Sequence, residues 1–443
     1  MHVWVRWLVV LALGALLGGC GRPQQGGEFA GVPQPEVLAR SGLHYYAHFK
    51  VKLDDGEDIL SMHRLDEHLY LLTDHHRLIA CDARSLAMRW SYQIDPRDNP
   101  VFRPIHADKV MMSDKPTSII DMVGQKLPVL KPFNAVMFNS LTHVIVLDRA
   151  TGRQVRRAEL PYAAASGGAF EGGYYFAPDT KGLTFAVSLA EEVQSWTFPA
   201  DDMISAPVQV YNHSVYSVSR TGNVRVARVG RTRQDAWSAK LEGDFTRPFH
   251  VDERGCFVAA NNGRLYALDA VTGRPLWDPV YFRRHLYDSP QVGQATVFQC
   301  VRGDGLYALN LVNGQQRWKQ PGGLFVLATM GGKAFLLDKD HTLYIKDEIQ
   351  GTALSSTPMQ GLDLFLPNTT SPTMYVATRC GRLFSIRPSD AAAIKIEEVY
   401  PNAPQLIQPE APTSKPAPKA APKAAPKAAP TKPAADAGGL DLS

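Results

Sequence analysis

The sequence predicts an all-β chain: an eight-bladed β-propeller of four-stranded blades with a disordered C-terminal tail. Two periodicities point there. Trp196, Trp237, Trp277 and Trp318 follow one another at 41, 40 and 41 residues. Prolines one or two residues after a Ser or Thr also recur, at Pro207, Pro248, Pro290 and Pro372, separated by 41, 42 and 82 residues, the last being two periods. A repeat of about forty residues holding several short alternating strands is the sequence form of a propeller blade.

Each unit has the same internal order. In the fifth, Gly263-Arg264-Leu265-Tyr266-Ala267-Leu268 alternates as a half-buried strand, Asp269-Ala270-Val271-Thr272-Gly273 makes a tight turn, and Trp277 stands on the next strand. An Asp side chain can bond the turn backbone, and Gly can take the positive φ that closes it. The same order leads from Gly305 to Trp318 and from Arg77 to Trp90. It also leads from His143 to Arg156, and from Thr342 to Ser355, with other residues in the tryptophan position. A large aromatic there is expected to wedge against the neighbouring sheet. The Ser/Thr-x-Pro marker is expected to open each blade, since proline is tolerated where no ladder donor is needed.

Seven fairly complete blades are expected between about 58 and 359. An eighth, from about 362 to 388, lacks a last strand, which the alternating stretch from His44 to Lys52 can supply. Such closure removes exposed sheet edges. The distance from Trp90 to Arg156 is 66 residues, so the second blade carries an insertion at about 114–132, expected to be a loop or short helix.

The ends have another character. Arg6, an apolar run from Leu8 to Leu17, and then Gly18-Gly19-Cys20 read as a signal peptide (1–19) ending in a lipobox, with Cys20 as the lipidated residue and 20–42 as a linker to the propeller at 43–390. Residues 391–443 are expected to form a disordered tail, Pro/Ala/Lys-rich from about 401, in which Lys419, Lys423 and Lys427 recur in Ala-Pro-Lys-Ala. Its even lysines would suit an anionic surface such as a cell-wall polymer.

Formal charge is +4, and the tail from 401 onward holds five lysines against Glu410, Asp436 and Asp441, which leaves the rest near neutral and gives a nucleic-acid role no support. Beyond Cys20 the cysteines are Cys81, Cys256, Cys300 and Cys380, with no Cys-x-x-Cys pair and no zinc spacing. Isolated buried thiols are expected, and His75 and His76, adjacent on one hairpin, are poor joint metal ligands.

The motif Tyr-Ala-Leu-Asp-x-x-Thr-Gly-x-x-x-Trp resembles the repeat of the pyrroloquinoline-quinone (PQQ) propeller superfamily, over roughly residues 58 to 390. One branch is the quinoprotein dehydrogenases. The other is the BamB family, lipoproteins of outer-membrane β-barrel assembly. The resemblance to the dehydrogenases would imply a vicinal cysteine pair, a calcium site and long insertions; no two cysteines here are adjacent. The resemblance therefore favours the BamB branch: no catalytic residue, no cofactor, no metal, a protein partner, and lipid anchoring on the periplasmic side of the outer membrane. The alternatives are an envelope attachment protein acting through its tail and a PQQ-dependent oxidoreductase.

In the BamB family partners meet loops between blades that carry leucines, an arginine and an acidic pair. Asp201 and Asp202 partly match the acidic pair, whereas the loop 161–168 is Ala/Ser/Gly-rich and lacks the expected Leu-x-Leu-Arg. The second candidate is Tyr281-Phe282-Arg283-Arg284-His285-Leu286-Tyr287-Asp288, with Phe282, Arg283 and Arg284 as partner-binding residues, because interfaces are enriched in aromatics and Arg.

Overall fold

Sheets of this size cannot bury both faces unaided, and the chain solves this by stacking them in a ring. The structure is a computed structural model and describes residues 27–112, 131–190, 193–230 and 232–395. Cys20, the signal segment, nearly all of the blade-2 insertion and the lysine repeats lie outside the described residues.

Among the described residues there are eight four-stranded antiparallel sheets. Blades 1 to 7 are continuous in sequence, at 59–93, 105–159, 169–199, 209–240, 250–281, 291–321 and 323–358. Blade 8 takes three strands from 364–388 and its fourth from Leu43–Lys50, which pairs antiparallel from Leu43↔Pro388 to Lys50↔Arg382. The expected closure of the ring by the N-terminal strand is what the structure shows. First strands touch one another from blade 2 to blade 5 and between blades 8 and 1, and the last strands, which carry the tryptophans, stand at the far edge of their sheets. Because strands alternate in direction, all connections between blades open on one face, together with the turns between second and third strands. The turns between third and fourth strands open on the other.

The turn chemistry appears as read. Asp269 Oδ1 accepts from the backbone N–H of Thr272 (2.7 Å) and from its hydroxyl (2.8 Å), and Asp148 does the same for Thr151. Gly273 closes its turn at φ +72°. The ring of Trp237, one blade earlier, lies so close that a Cβ on Gly273 would stand 2.4 Å from it. The indole N–H of Trp237 donates to the Ala270 carbonyl in the same turn (3.0 Å). Trp90, Trp277 and Trp318 repeat this on Arg149, Leu311 and Glu348, at 2.9, 3.2 and 2.9 Å. Each tryptophan thus latches its blade to the third-to-fourth-strand turn of the next.

A second aromatic column was not legible from the tryptophan spacing. Tyr70, Phe176, Tyr216, Phe257 and Phe298, on second strands, face the tryptophans of their own blades with ring centroids 5.5–6.5 Å apart. Between them, on the third strand, stands a small residue such as Ala80, Ala186 or Ala308. That alanine leaves the volume in which two rings meet across an intervening strand.

One marker behaves otherwise than expected. Pro207, Pro248 and Pro290 each precede the first strand of a blade by one or two residues, but Pro372 does not open blade 8. The first strand there is Leu364–Phe365, and Pro372 lies between it and the second strand, Met374–Ala377. The Asn368 amide bridges that loop to the carbonyls of Ser371 (3.2 Å) and Thr373 (3.0 Å), so the proline closes a loop instead of starting a sheet. Packing also reaches past the 43–390 boundaries. Val32 and Leu38 (the latter on a short helix, Pro35–Ala39) join the core between blades 7 and 8, and Ile394 joins that between blades 8 and 1. The four cysteines beyond Cys20 are free, and burial pushes the Cys81, Cys256 and Cys300 thiols up to about 12. No helix of the described residues is long and apolar enough to cross a membrane.

Trp318 is 8% exposed and joins blades 6 and 7. Trp318→Ala is expected to lower unfolding free energy by about 3–5 kcal/mol, read by denaturant titration. A loss under about 1 kcal/mol would mean that the latch carries little of the ring's stability.

Candidate functional site

The two predicted sites lie on the face where the blades are connected. The loop 282–290 joins blades 5 and 6, and the loop 200–208 joins blades 3 and 4. The first presents arginines that have no ion pair among the described residues.

The loop 282–290 is held from beneath. Leu286 is fully buried in the core between blades 5 and 6, and Phe282 packs on the edge of Tyr307 at 5.0 Å. The loop backbone rides over Gly263, at φ +87°, where a Cβ would stand 2.5 Å from the Arg284 carbonyl oxygen. Phe282 donates its N–H to the Gly263 carbonyl (2.9 Å), and the His285 ring bonds the Asn261 carbonyl. Arg283 is left at φ +56°, a region that costs a non-glycine residue about 1–3 kcal/mol.

These anchors shape an open concavity of about 420 Å³. Tyr281, Arg283, Arg284, His285 and Tyr287 line it from the loop and the strand end before it. Asn262 and Arg302 line it from the hairpin turns of blades 5 and 6. The sequence reading singled out the loop residues and missed those two. They stand 40 residues apart, and the repeat register places them on equivalent turns of adjacent blades.

The cations here differ in their engagement. Arg302 makes a two-point ion pair with Asp288 (2.7 and 2.9 Å) and lies over the Tyr287 ring. Arg264 pairs with Glu242 beside Tyr281, and Lys319 pairs with Asp304 at 2.5 Å. Arg283 and Arg284, both exposed, form no hydrogen bond or ion pair with the described residues. Lys319 and the Tyr307 hydroxyl, with a contribution from Arg284, hold the Asp304 carboxyl below its ordinary value. Tyr281 is 59% and Tyr287 38% exposed, so aromatic surface flanks the free guanidinium groups.

The acidic pair is internally engaged. Asp201 accepts from Lys240 Nζ (2.5 Å) and from the Ser219 hydroxyl (2.7 Å). Burial acts to raise its pKa, but Lys240, Ser219 and Thr221 outweigh it and set it at about 2. Asp202 accepts the N–H of Met203 (2.8 Å).

Two groups place three metal-type donors within reach of one another: Asp54, Glu57 and His75, and Asp66, Glu67 and His106. In the first, both Glu57 oxygens accept from Arg77, at 2.8 and 2.6 Å. In the second, the buried Arg149 guanidinium stands 3.7 Å from Asp66 and 3.3 Å from Glu67. Each set already holds a fixed cation. For quinone chemistry, Cys81, Cys256, Cys300 and Cys380 fall on four different blades, so the cysteines do not fit the paired-thiol platform of the dehydrogenases.

Comparisons with known proteins agree with this geometry. Residues 222–401 match a family model described as outer membrane protein assembly factor BamB. The repeats are of the BamB, PQQ-like type. BamB from Moraxella catarrhalis is similar in structure, with a TM-score of 0.56 and 15% identity over 79% of this chain and 99% of that one. The computationally designed Ika8 protein is similar at 0.57 and 12%, over 77% and 99%, and the C-terminal WD40 domain of Sif2 at 0.54 and 11%, over 78% and 98%. At these identities the structures speak for the fold alone. No curated protein matches the sequence.

One titration follows from the geometry of the first blade. Burial, and then the charge of Arg103, push His63 from 6.5 down to about 4. The folded state therefore favours neutral His63, while the unfolded chain takes up its proton at higher pH. The stability this difference contributes is complete above about 6.5 and is lost as pH falls toward about 4. Thermal unfolding of His63→Gln is expected to depend less on pH across that window than that of the parent; equal slopes would show that other groups set the acid response.

Proposed function

We propose that this chain is a non-enzymatic protein-binding scaffold of the cell envelope that docks its partner on the face bearing the blade connections. The observation that carries this is the pair Arg283 and Arg284, which is exposed, without partners among the described residues, and mounted on a loop fixed by Leu286, Phe282 and Gly263. Such a loop is preorganised, so little ordering entropy is lost when a partner binds. The concavity beside it joins aromatic and guanidinium surface, the combination that dominates interface hot spots.

In its finer form the proposal has lipid on Cys20 holding the propeller at the periplasmic side of the outer membrane. Its work there is the assembly of outer-membrane proteins, the activity that the matched family's description names for that family. The lipobox residues Leu17-Gly18-Gly19-Cys20 support the anchor, and the repeat type supports the role.

A mild-detergent pull-down from the native envelope tests this, with mass spectrometry of partners and absorbance for quinone. Recovery of a barrel-assembly protein without quinone is expected, with capture reduced about tenfold or more by Arg283→Glu/Arg284→Glu and an unchanged melting temperature. Stoichiometric quinone with calcium overturns the reading in favour of a dehydrogenase, and unchanged capture by the double variant removes the loop from it. Cys20→Ala is expected to move the protein from the membrane fraction to the soluble fraction and to abolish metabolic labelling with palmitate. Retention in the membrane with label intact would place the lipid elsewhere.

A further inference from the structure

The charge pattern around the loop 282–290 specifies what the docking partner brings. We infer that the concavity between blades 5 and 6 takes an acidic, aromatic-containing peptide segment, with carboxylates on Arg283 and Arg284 and an aromatic or aliphatic side chain against Tyr281 and Tyr287. This rests on the docking role proposed above and adds the partner's chemistry to it.

Ion pairs neutralise most cations around the concavity, and Arg283 and Arg284 depart from this. Arg264 has Glu242, Arg302 has Asp288, Lys319 has Asp304, Arg220 has Asp244, and Lys240 has Asp201. The acids within reach are thereby taken. Asp288, the acid nearest in sequence, is held on Arg302 by two hydrogen bonds and makes none to its loop's own arginines. Arg284 acts on Asp304 only through space, and neither Arg283 nor Arg284 has an ion pair among the described residues. A guanidinium prefers a planar two-oxygen acceptor, and a carboxylate supplies one.

The backbone points the same way. Arg283 sits at positive φ although any of many loop conformations could relieve it, and such strain persists only where the surrounding structure over-determines it. Here the anchors on both sides, Phe282 on Tyr307 and Leu286 in the core, keep it. The concave form and the two tyrosines favour a side chain entering over a flat charged sheet such as a lipid surface. Arg264 and Arg302, already stacked on those rings, stiffen them as walls.

The test uses the full propeller and a fluorescein-labelled decapeptide of alternating Glu and Tyr, followed by anisotropy. A Lys/Tyr decapeptide and phosphatidylglycerol vesicles serve as competing probes. The Glu/Tyr peptide is expected to bind and to weaken as salt rises from about 50 to about 300 mM. Arg283→Gln/Arg284→Gln should weaken it about tenfold or more, Arg283→Lys/Arg284→Lys should restore part of that, and Arg84→Gln, on the opposite face, should leave it unchanged. Equal binding of the Lys/Tyr peptide, indifference to the Gln variant, or binding of vesicles alone overturns the inference. If the pull-down partner is lost on charge reversal while no Glu/Tyr peptide binds, the docking role stands and the acidic chemistry falls. If the peptide binds and charge reversal spares the partner, the site is real and the scaffold reading of it falls.

Discussion

The tryptophan latch sets the geometry on which the other contacts depend. The indole ring of one blade covers the glycine of the next blade's turn, and its N–H ends on the carbonyl of the residue after the turn Asp or Asn in four of the blades. This contact is short in both directions. The ring fixes the spacing of neighbouring sheets because the glycine has no Cβ to hold it off, and the hydrogen bond fixes their rotation. The described core divides into eight hydrophobic clusters, each made of residues from two adjacent blades. No blade holds a core of its own, so a blade is stable only to the extent that its neighbours are latched to it.

Where the tryptophan is missing, the same carbonyl is reached by other chemistry. Arg156 stands in the tryptophan position of blade 2 and donates to the Leu189 carbonyl of blade 3 at 2.7 Å. In blade 8 the second-strand Tyr375 sends its hydroxyl to the Ala83 carbonyl of blade 1 at 2.9 Å. Tyr216 does this alongside Trp237, both ending on Ala270. Blade 7 has Ser355, whose hydroxyl bonds Ser41 at 2.7 Å, so the N-terminal segment takes over the junction just before it supplies the closing strand. Outside blade 7, the constant element is an acceptor carbonyl in the next blade's turn, and the donor varies.

This explains what could be read from the sequence. The turn and its tryptophan lie within about a dozen residues, and repetition exposed them; the closing strand followed from counting strands. The Pro372 marker misled because spacing alone cannot tell a loop inside a blade from its entry, and Asn368 builds such a loop there. The loop proposed for docking was visible as Tyr281 to Asp288, since its unusual composition is contiguous. Its walls were not. Asn262 and Arg302 reach it from two other turns, and whether an arginine is free depends on acids many residues away. Asp201 looked available in sequence, but Lys240 lies one blade on, and only the fold brings the two together.

A ring latched in this way separates two kinds of residue. Changes beneath the sheets disturb a contact shared by two blades, and the small volume left by Ala80, Ala186 or Ala308 admits little variation. Changes on the connections meet no such limit once the loop's anchors are kept. Leu286 and Phe282 occupy the anchor role in the blade 5–6 loop, with His285 bonded to the Asn261 carbonyl, which leaves Arg283 and Arg284 outside the packing. Substitution of those two alters charge at the surface and little else, because their side chains support no core cluster. The turns, tryptophans and glycines that hold the ring together are thus set apart from the inter-blade loops, whose exposed residues can change without disturbing them.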